Sequence, residues 1–291
     1  MDFSMERIKL YFSLTKPGVL FGNVISGVAG FLLASYGTVN IVLFLATTIG
    51  MTLIIASACV LNNYFDRDID SVMERTKKRA IASGEIKGRN GVIFSIILGI
   101  LGVLILFLWT NLLVVGIGVF GFVVYVWGYG MFGKRKSVHG TLIGSVSGAM
   151  PILAGYCAVT NTIDLGAVLV FLILFFWQLP EFYSISVYRR DEYKAAKVPV
   201  ISVVKGIPHA KREILAYTIA FVLSTLALTI FGYAGYTYFV VMVVLGIYWI
   251  WLGIKLLQAK DNNLWGRKMF KFSLIILLVF CFMISVNSFL P

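Results

Sequence analysis

Charge is scarce in this sequence. Of 291 residues only 13% are Asp, Glu, Lys or Arg, 59% are hydrophobic, and the mean hydropathy is +0.92. That balance excludes a water-soluble globule. Cysteine is scarcer still. Cys59, Cys157 and Cys281 all lie in apolar runs with no CxxC spacing, which argues against a disulfide framework, a thiolate-metal site and a thiol nucleophile and leaves packing as their role. There are two histidines, His139 and His209, both beside charged segments, and each reads as an ordinary polar residue. The apolar/polar alternation of barrel strands is missing, which excludes a transmembrane β-barrel. No long linker, low-complexity tract or sequence repeat interrupts residues 1–291, so the chain reads as a single membrane domain.

What the sequence does contain is a series of long apolar runs. They lie near 18–36, 41–61, 91–109, 112–132, 138–159, 163–187, 213–232, 236–257 and 270–290. A helix needs about 20 mostly apolar residues to cross a bilayer, so the expected class is all-α and polytopic, with nine transmembrane helices. The run near 138–159 is rich in Gly and Ser, and Pro180 interrupts the one near 163–187. The N-terminal stretch MDFSMERIKLYFSLTKPG carries bases but no small-residue cleavage site, and it reads as the approach to an uncleaved first helix.

The charges that do occur are one-sided. All 25 Lys and Arg fall in the N-terminal tail, in 62–90, around Lys134–Lys136, in 188–212 and in 255–271. The alternate loops, near 37–40, 110–111, 160–163 and 233–235, carry none. By the positive-inside rule the basic side is cytoplasmic, the N-terminus inside and the C-terminus outside, as in a bacterial plasma (inner) membrane protein. The net charge of +12 is then a topology signal in a chain whose partner is the lipid bilayer. Nucleic-acid binding is not indicated, because the bases hug the membrane.

Residues 62–79, NNYFDRDIDSVMERTKKR, follow directly on an apolar run. Asn62, Asp66 and Asp70 stand at i, i+4 and i+8, one stripe on a continuous helix. An amide and two carboxylates are hard oxygen ligands of the kind Mg²⁺ takes together with substrate phosphates. The plainer alternative is a solvated acidic helix end that balances neighbouring bases. Arg75, Lys78 and Arg79 fit a metal–diphosphate complex, whose outer oxygens guanidinium and ammonium groups neutralise, and Lys134 and Arg135 are candidate auxiliary cations.

A second polar island lies at 177–193, WQLPEFYSISVYRRDEY. On an unbroken helix Glu181, Tyr188 and Glu192 fall within about 20° of one another, with Asp191 on the flank. Glu181 is the residue lipid tolerates least, so a polar interior or a partner is expected for it. The alternative is an acid paired with Arg189 or Arg190 at the membrane surface. Two acidic islands on one side suggest two halves of one divalent-metal site. The rings of Phe65, Tyr125, Tyr129, Tyr156, Trp177 and Tyr188 are candidates to line a cavity beside it.

The NxxxDxxxD pattern in NNYFDRDIDSVMERTKKR resembles the first signature of the UbiA superfamily of intramembrane prenyltransferases. The blocks TKPGVLFGNVISGVAGFLLAS, KRKSVHGTLIGSVSGAMPILAGYCAVTN, WQLPEF, RRDEYKAAKVPV and WGRKMFKFS resemble its protohaem IX farnesyltransferase branch, essentially end to end. The resemblance implies nine helices around a central cavity, and a reaction in which farnesyl diphosphate and haem b give haem O and diphosphate. It implies Mg²⁺ as cofactor, with Asn62, Asp66, Asp70 and Asp191 as ligands and Arg75 and Arg79 as the RTxxR element. Catalytic roles then fall to Asp66, Asp70, Asp191 and Glu181, and Lys78, Lys134 and Arg135 join the diphosphate-binding bases. Tyr188, Arg189 and Arg190 are candidates for haem contacts. A terminal oxidase or another haem-handling membrane protein is a partner consistent with such an activity. One departure stands out: the family usually reads WQxPH, and this chain has Glu181 in place of that histidine. Two other readings remain. One is a UbiA-type enzyme that prenylates an aromatic ring for quinone synthesis, which shares the first motif but not the WQLPE and SVSGAMP blocks. The other is a secondary transporter of an anionic substrate, which predicts polar residues at the bilayer midplane.

Overall fold

The computed structural model describes residues 2–291. It is helical: α1 (Asp2–Leu14), α2 (Pro17–Ser35), α3 (Ile41–Phe65), α4 (Arg67–Val72), α5 (Gly88–Trp109), α6 (Leu112–Val123), a π-helical stretch (Val124–Gly133), α7 (Lys134–Lys136), α8 (Gly140–Thr160), α9 (Leu165–Tyr188), α10 (Arg190–Ala195), α11 (Ile201–Val204), α12 (Ile207–Ile230), α13 (Tyr236–Gln258) and α14 (Asn262–Ser285). Among the described residues nine helices are long and apolar enough to cross a membrane, with α6, the π-helical stretch and α7 counting as one span, Leu112–Lys136. The protein is an integral membrane protein. No strand occurs among the described residues.

Capping residues set where several spans start. Asn40, Asn111, Asp164 and Asp261 each accept a hydrogen bond from a backbone N–H of the first turn: from Leu43 (3.1 Å), Val114 (3.0 Å), Ala167 (2.8 Å) and Leu264 (2.9 Å). Such a side chain satisfies one of the amides a helix N-terminus leaves open. Asp261 moves the start of the last span eight residues ahead of the apolar run at 270–290, so the helix takes in Arg267 and Lys268. The seventh span likewise starts at Ile207 with Pro208 in its first turn. Pro180 does not interrupt α9, which runs unbroken from Leu165 to Tyr188.

Small residues let the helices cross closely. A Cβ on Gly155 would overlap the carbonyl of Gly27, and one on Gly30 the carbonyl of Ile152, so α2 and α8 meet backbone to backbone. The same holds for α3 and α5, where a Cβ on Gly102 would stand 2.8 Å from the Gly50 carbonyl. Between helices in lipid there is little hydrophobic drive, and such close van der Waals approach is the usual adhesive. Helices α8 and α9 carry much of the buried core, including Ile152, Cys157, Val170 and Ile173. The apolar side chains left outside, among them Ile100, Leu112, Leu223, Ile247 and Phe282, form the surface that faces the bilayer.

Two segments close one end of the bundle: residues 66–87 after α3, and 189–206 after α9. They pack on each other through Ile69, Met73 and Val198, flanked by Tyr193, Ala196 and Val200. The two polar islands of the sequence are thus brought together, and apolar side chains do the joining.

Candidate active site

A cavity of about 660 Å³ opens beneath that cap, within the range of pockets that enclose drug-sized ligands. Its mouth carries Lys16, Asn62, Asp66, Asp70, Arg75, Arg79, Lys134 and Arg189; farther along, Ile54, Phe122, Leu174, Trp177, Leu274 and Leu277 make the wall apolar. The lining holds five cations (Lys16, Arg75, Arg79, Lys134, Arg189) against three carboxyl groups (Asp66, Asp70, Glu181). An acid-poor, cation-rich mouth over an apolar chamber suits a ligand with an anionic head and a greasy body.

The acidic stripe is not on one straight helix. Helix α3 ends at Phe65, Asp66 sits at the corner with φ −85° and ψ 3°, and α4 begins at Arg67. The 1–5 bonding survives the bend: the Asp66 N–H donates to the Asn62 carbonyl (2.9 Å) and the Asp70 N–H to the Asp66 carbonyl (2.7 Å). Asn62, Asp66 and Asp70 therefore still line the same cavity, and all three are buried. That removes the alternative of a solvated helix end.

Each of the three is held by a cation. Lys134 Nζ donates to Asp66 Oδ2 at 2.6 Å, and Arg79 Nη1 lies 2.9 and 2.7 Å from the two oxygens of Asp70. Lys16 Nζ donates to Asn62 Oδ1. Two atoms are left over. Asp66 Oδ1 and Asn62 Nδ2 are buried without a hydrogen-bond partner, an acceptor and a donor on the same cavity wall. Buried polar atoms are rarely left so. No group of three or more His, Cys, Asp and Glu with metal-binding geometry occurs among the described residues, so any ion held here takes its remaining ligands from elsewhere.

Several sequence-predicted residues are placed otherwise. Asp191 is exposed on α10 and outside the cavity lining, because the break at Arg189 ends the helical phase that aligned it with Glu181. Glu192 pairs with Arg189 at 2.7 Å. Lys78 is exposed and off the wall. Arg135 is committed to the corner: its two terminal nitrogens fork onto Asp68 at 2.8 and 2.6 Å, and Nη2 also donates to the Phe65 carbonyl. That fork holds the Asp68 carboxyl down near 2, through the hydrogen bond from Arg135. Arg190 donates from Nε to the Ser202 carbonyl at 3.0 Å and braces the 189–206 segment. Tyr188 and Arg189 do line the cavity, as do Tyr125, Tyr129 and Trp177. Phe65 and Tyr156 do not; the Tyr156 hydroxyl donates to Asp164 at the far end of the bundle, at 3.2 Å. His209 pairs with Glu213 at 3.2 Å on α12.

Glu181 lines the cavity, 9% exposed, and among the described residues it has neither an ion-pair partner nor a hydrogen-bond donor. The surface pairing with Arg189 or Arg190 is excluded, since both guanidinium groups are engaged elsewhere.

Sequence reasoning missed Lys16. It stands in the left-handed region (φ 52°) just before Pro17, where α2 begins, and this turn aims its side chain at Asn62. Burial, then the nearby charge of Arg79, lowers its ammonium to about 8. The signal available was the TKPG string: a base at the threshold of a span, fixed by the proline after it. Tyr193 and the 198–200 segment, also on the wall, left no comparable signal.

Comparison with known proteins agrees with this geometry. The profile of the UbiA prenyltransferase family matches residues 23–275. A protoheme IX farnesyltransferase of Yersinia enterocolitica is 48% identical over 284 residues, covering 98% of this chain and 96% of its own. One from Photorhabdus laumondii is 45% identical, covering 98% and 97%. In fold, the chain matches a digeranylgeranylglyceryl phosphate synthase structure with a TM-score of 0.81 at 22% identity, over 97% of this chain and 99% of that one. It matches an Archaeoglobus fulgidus UbiA homologue bound to GPP and Mg²⁺ with a TM-score of 0.72 at 13% identity, over 95% and 99%.

Proposed function

The chain belongs to the UbiA prenyltransferase family, and from that premise we propose that it transfers a farnesyl group from farnesyl diphosphate to a vinyl group of haem b, giving haem O and diphosphate. The observation that carries the reading is the cavity itself, a cation-rich mouth around Asn62, Asp66 and Asp70 continuous with an apolar chamber. The acceptor follows from relatives nearly half identical over almost the whole chain.

The donor set at the mouth fits a hard divalent cation: two carboxylates and an amide, with one oxygen of the Asp66 carboxylate buried and accepting no hydrogen bond. Held by Asn62, Asp66 and Asp70, Mg²⁺ would neutralise the charge that gathers on the diphosphate as its carbon–oxygen bond breaks. Lys16, Lys134 and Arg79, already held at the mouth by Asn62, Asp66 and Asp70, supply positive charge to the phosphate oxygens, together with Arg75 on the same lining. Cations fixed in place before the reaction stabilise developing charge without reorganisation. Asn62 Nδ2 supplies a further donor. The apolar wall then shelters the allylic cation from bulk water, and Tyr188 and Arg189 flank the side where a haem propionate would lie. The bases gathered at the capped end support a reading in which that end faces the cytoplasm of a bacterial inner membrane, with the N-terminus inside and the C-terminus outside.

The test uses purified protein with haem b, farnesyl diphosphate and Mg²⁺, and mass spectrometry of the extracted haem. The expected product is heavier by one farnesyl and one hydroxyl group, absent with EDTA and absent in Asp66→Ala. Unmodified haem beside a prenylated aromatic acid such as 4-hydroxybenzoate would keep the prenyl-transfer reading and overturn the haem acceptor.

A further inference from the structure

Three carboxyl groups face the cavity, and they are not equivalent. Asp66 and Asp70 are neutralised by Lys134 and Arg79. Glu181 has no cation and no donor, and its oxygens are not sealed into the protein: although the residue is 9% exposed, neither oxygen is among the fully covered unpartnered atoms. It stands seven residues inside the end of α9, about 10 Å along the helix axis. An acid at that depth, aimed into an apolar chamber, has no structural partner to account for it.

One turn earlier on the same helix, Gln178 faces the same cavity. Its amide nitrogen donates to the Ser145 carbonyl (3.2 Å) and the Leu174 carbonyl (2.9 Å). With both N–H groups used, Oε1 is the atom left to accept. That oxygen lies against the bare Cα of Gly148, where a Cβ would overlap it. The glutamine is thus locked with a single acceptor on the wall, and residues at i and i+3 are neighbours on a helix face. Two acceptors one turn apart on one helix face are the set that would take one water by both its hydrogens, its lone pair left to the chamber.

We infer that Glu181 is the general base, and Gln178 the water-orienting residue, of the step that ends the transfer; the inference rests on the haem reading above. In that step farnesyl C1 bonds to the terminal vinyl carbon as its bond to the diphosphate oxygen breaks, and that electron pair leaves with diphosphate. The positive charge is then on the inner vinyl carbon, next to the pyrrole ring. The water oxygen adds there, and its surplus proton passes to the Glu181 carboxylate and from it to solvent. Every other charged side chain on the wall is a cation or an acid already paired, so Glu181 is also the group whose charge favours that carbocation. With no base to take the water's proton, the same cation loses a proton from the neighbouring carbon to the departing diphosphate and gives an alkene, lighter by one water.

The experiment compares the two products by mass spectrometry in wild type, Glu181→Gln, Glu181→Asp and Gly148→Ala, with diphosphate release measured in parallel. Glu181→Gln is expected to keep releasing diphosphate and to shift the hydroxylated-to-alkene ratio at least tenfold toward the alkene. Glu181→Asp is expected to restore part of the ratio, and Gly148→Ala, which displaces Gln178, to shift it less than Glu181→Gln does. An unchanged ratio in Glu181→Gln overturns the assignment. So does loss of both products and of diphosphate release in a folded variant, which places Glu181 before the quench. An unchanged ratio in Gly148→Ala overturns the part given to Gln178. If wild type makes neither product, the haem reading itself falls.

Discussion

The pair Asp66–Lys134 does two jobs that can be pulled apart. Its charged atoms are 2.6 Å apart, with side chains 1% and 15% exposed. At an effective dielectric of 20 the gross attraction is about 6 kcal/mol. Desolvation offsets most of it, and the cavity side admits water, so the expected coupling is about 2 kcal/mol. Asp66→Asn leaves the ammonium with a neutral acceptor. Lys134→Met leaves the carboxylate with only Arg135, at 3.9 Å. Each single variant is expected to lower the melting temperature in detergent by about 4 °C, taking roughly 2 °C per kcal/mol for a chain of this length. The double variant is expected to melt well above the sum of the two losses, because no buried charge is left unpaired. Activity should behave differently. Asp66→Asn removes a proposed metal ligand and is expected to cost about 10³-fold in kcat/KM, close to 4 kcal/mol, and Lys134→Met does not bring it back. The assay is a double-mutant cycle scored by thermal unfolding and by farnesylated haem formed. Stability losses that add within about 0.3 kcal/mol, or activity regained in the double variant, would refute the reasoning.

Arg79→Ala removes the nitrogen that lies 2.9 and 2.7 Å from the Asp70 oxygens and should lower kcat/KM for farnesyl diphosphate by about 10- to 100-fold, the value of one charge-assisted hydrogen bond; steady-state kinetics at fixed haem checks it. Asp191→Asn should stay within about threefold of wild type in the same assay, a small surface effect, since Asp191 is exposed and off the cavity wall. Gly155→Ala drives a methyl group into the Gly27 carbonyl and should cost about 1–3 kcal/mol, read as a lower melting temperature at an unchanged KM.

Much of this protein is legible in its residue order. The nine spans follow from runs long enough to cross hydrocarbon, since in lipid every backbone polar group has to be satisfied within its own helix. The last span starts eight residues early because the cap at Asp261, which the hydropathy pattern ignores, pulls the helix outward, and the seventh starts six residues early at Ile207, where Pro208 sits in the first turn. Asn62, Asp66 and Asp70 were legible because local bonding carries their spacing through the bend at Asp66. Asp191 rests on the family resemblance, with helical phase setting it only on the flank of Glu181. The structure puts it on α10, past the helix break at Arg189, exposed and off the cavity lining. Arg135 and Lys134 are neighbours of the same charge, yet one braces the corner through Asp68 and the other reaches Asp66. Only their positions in space separate the two.

The sequence by itself determined the membrane class, the number of spans and the acidic motif, because these depend on interactions within a turn or two of the chain and on transfer to lipid. The tertiary structure decided which charges face the cavity and which are spent on holding it. Lys16 meets Asn62 across 46 residues and Lys134 meets Asp66 across 68. Gln178 is locked by the missing side chain of Gly148 on another helix, and Glu181 is left unpaired because both nearby arginines found other partners. Those outcomes depend on how the helices pack, which hydropathy and local spacing do not encode.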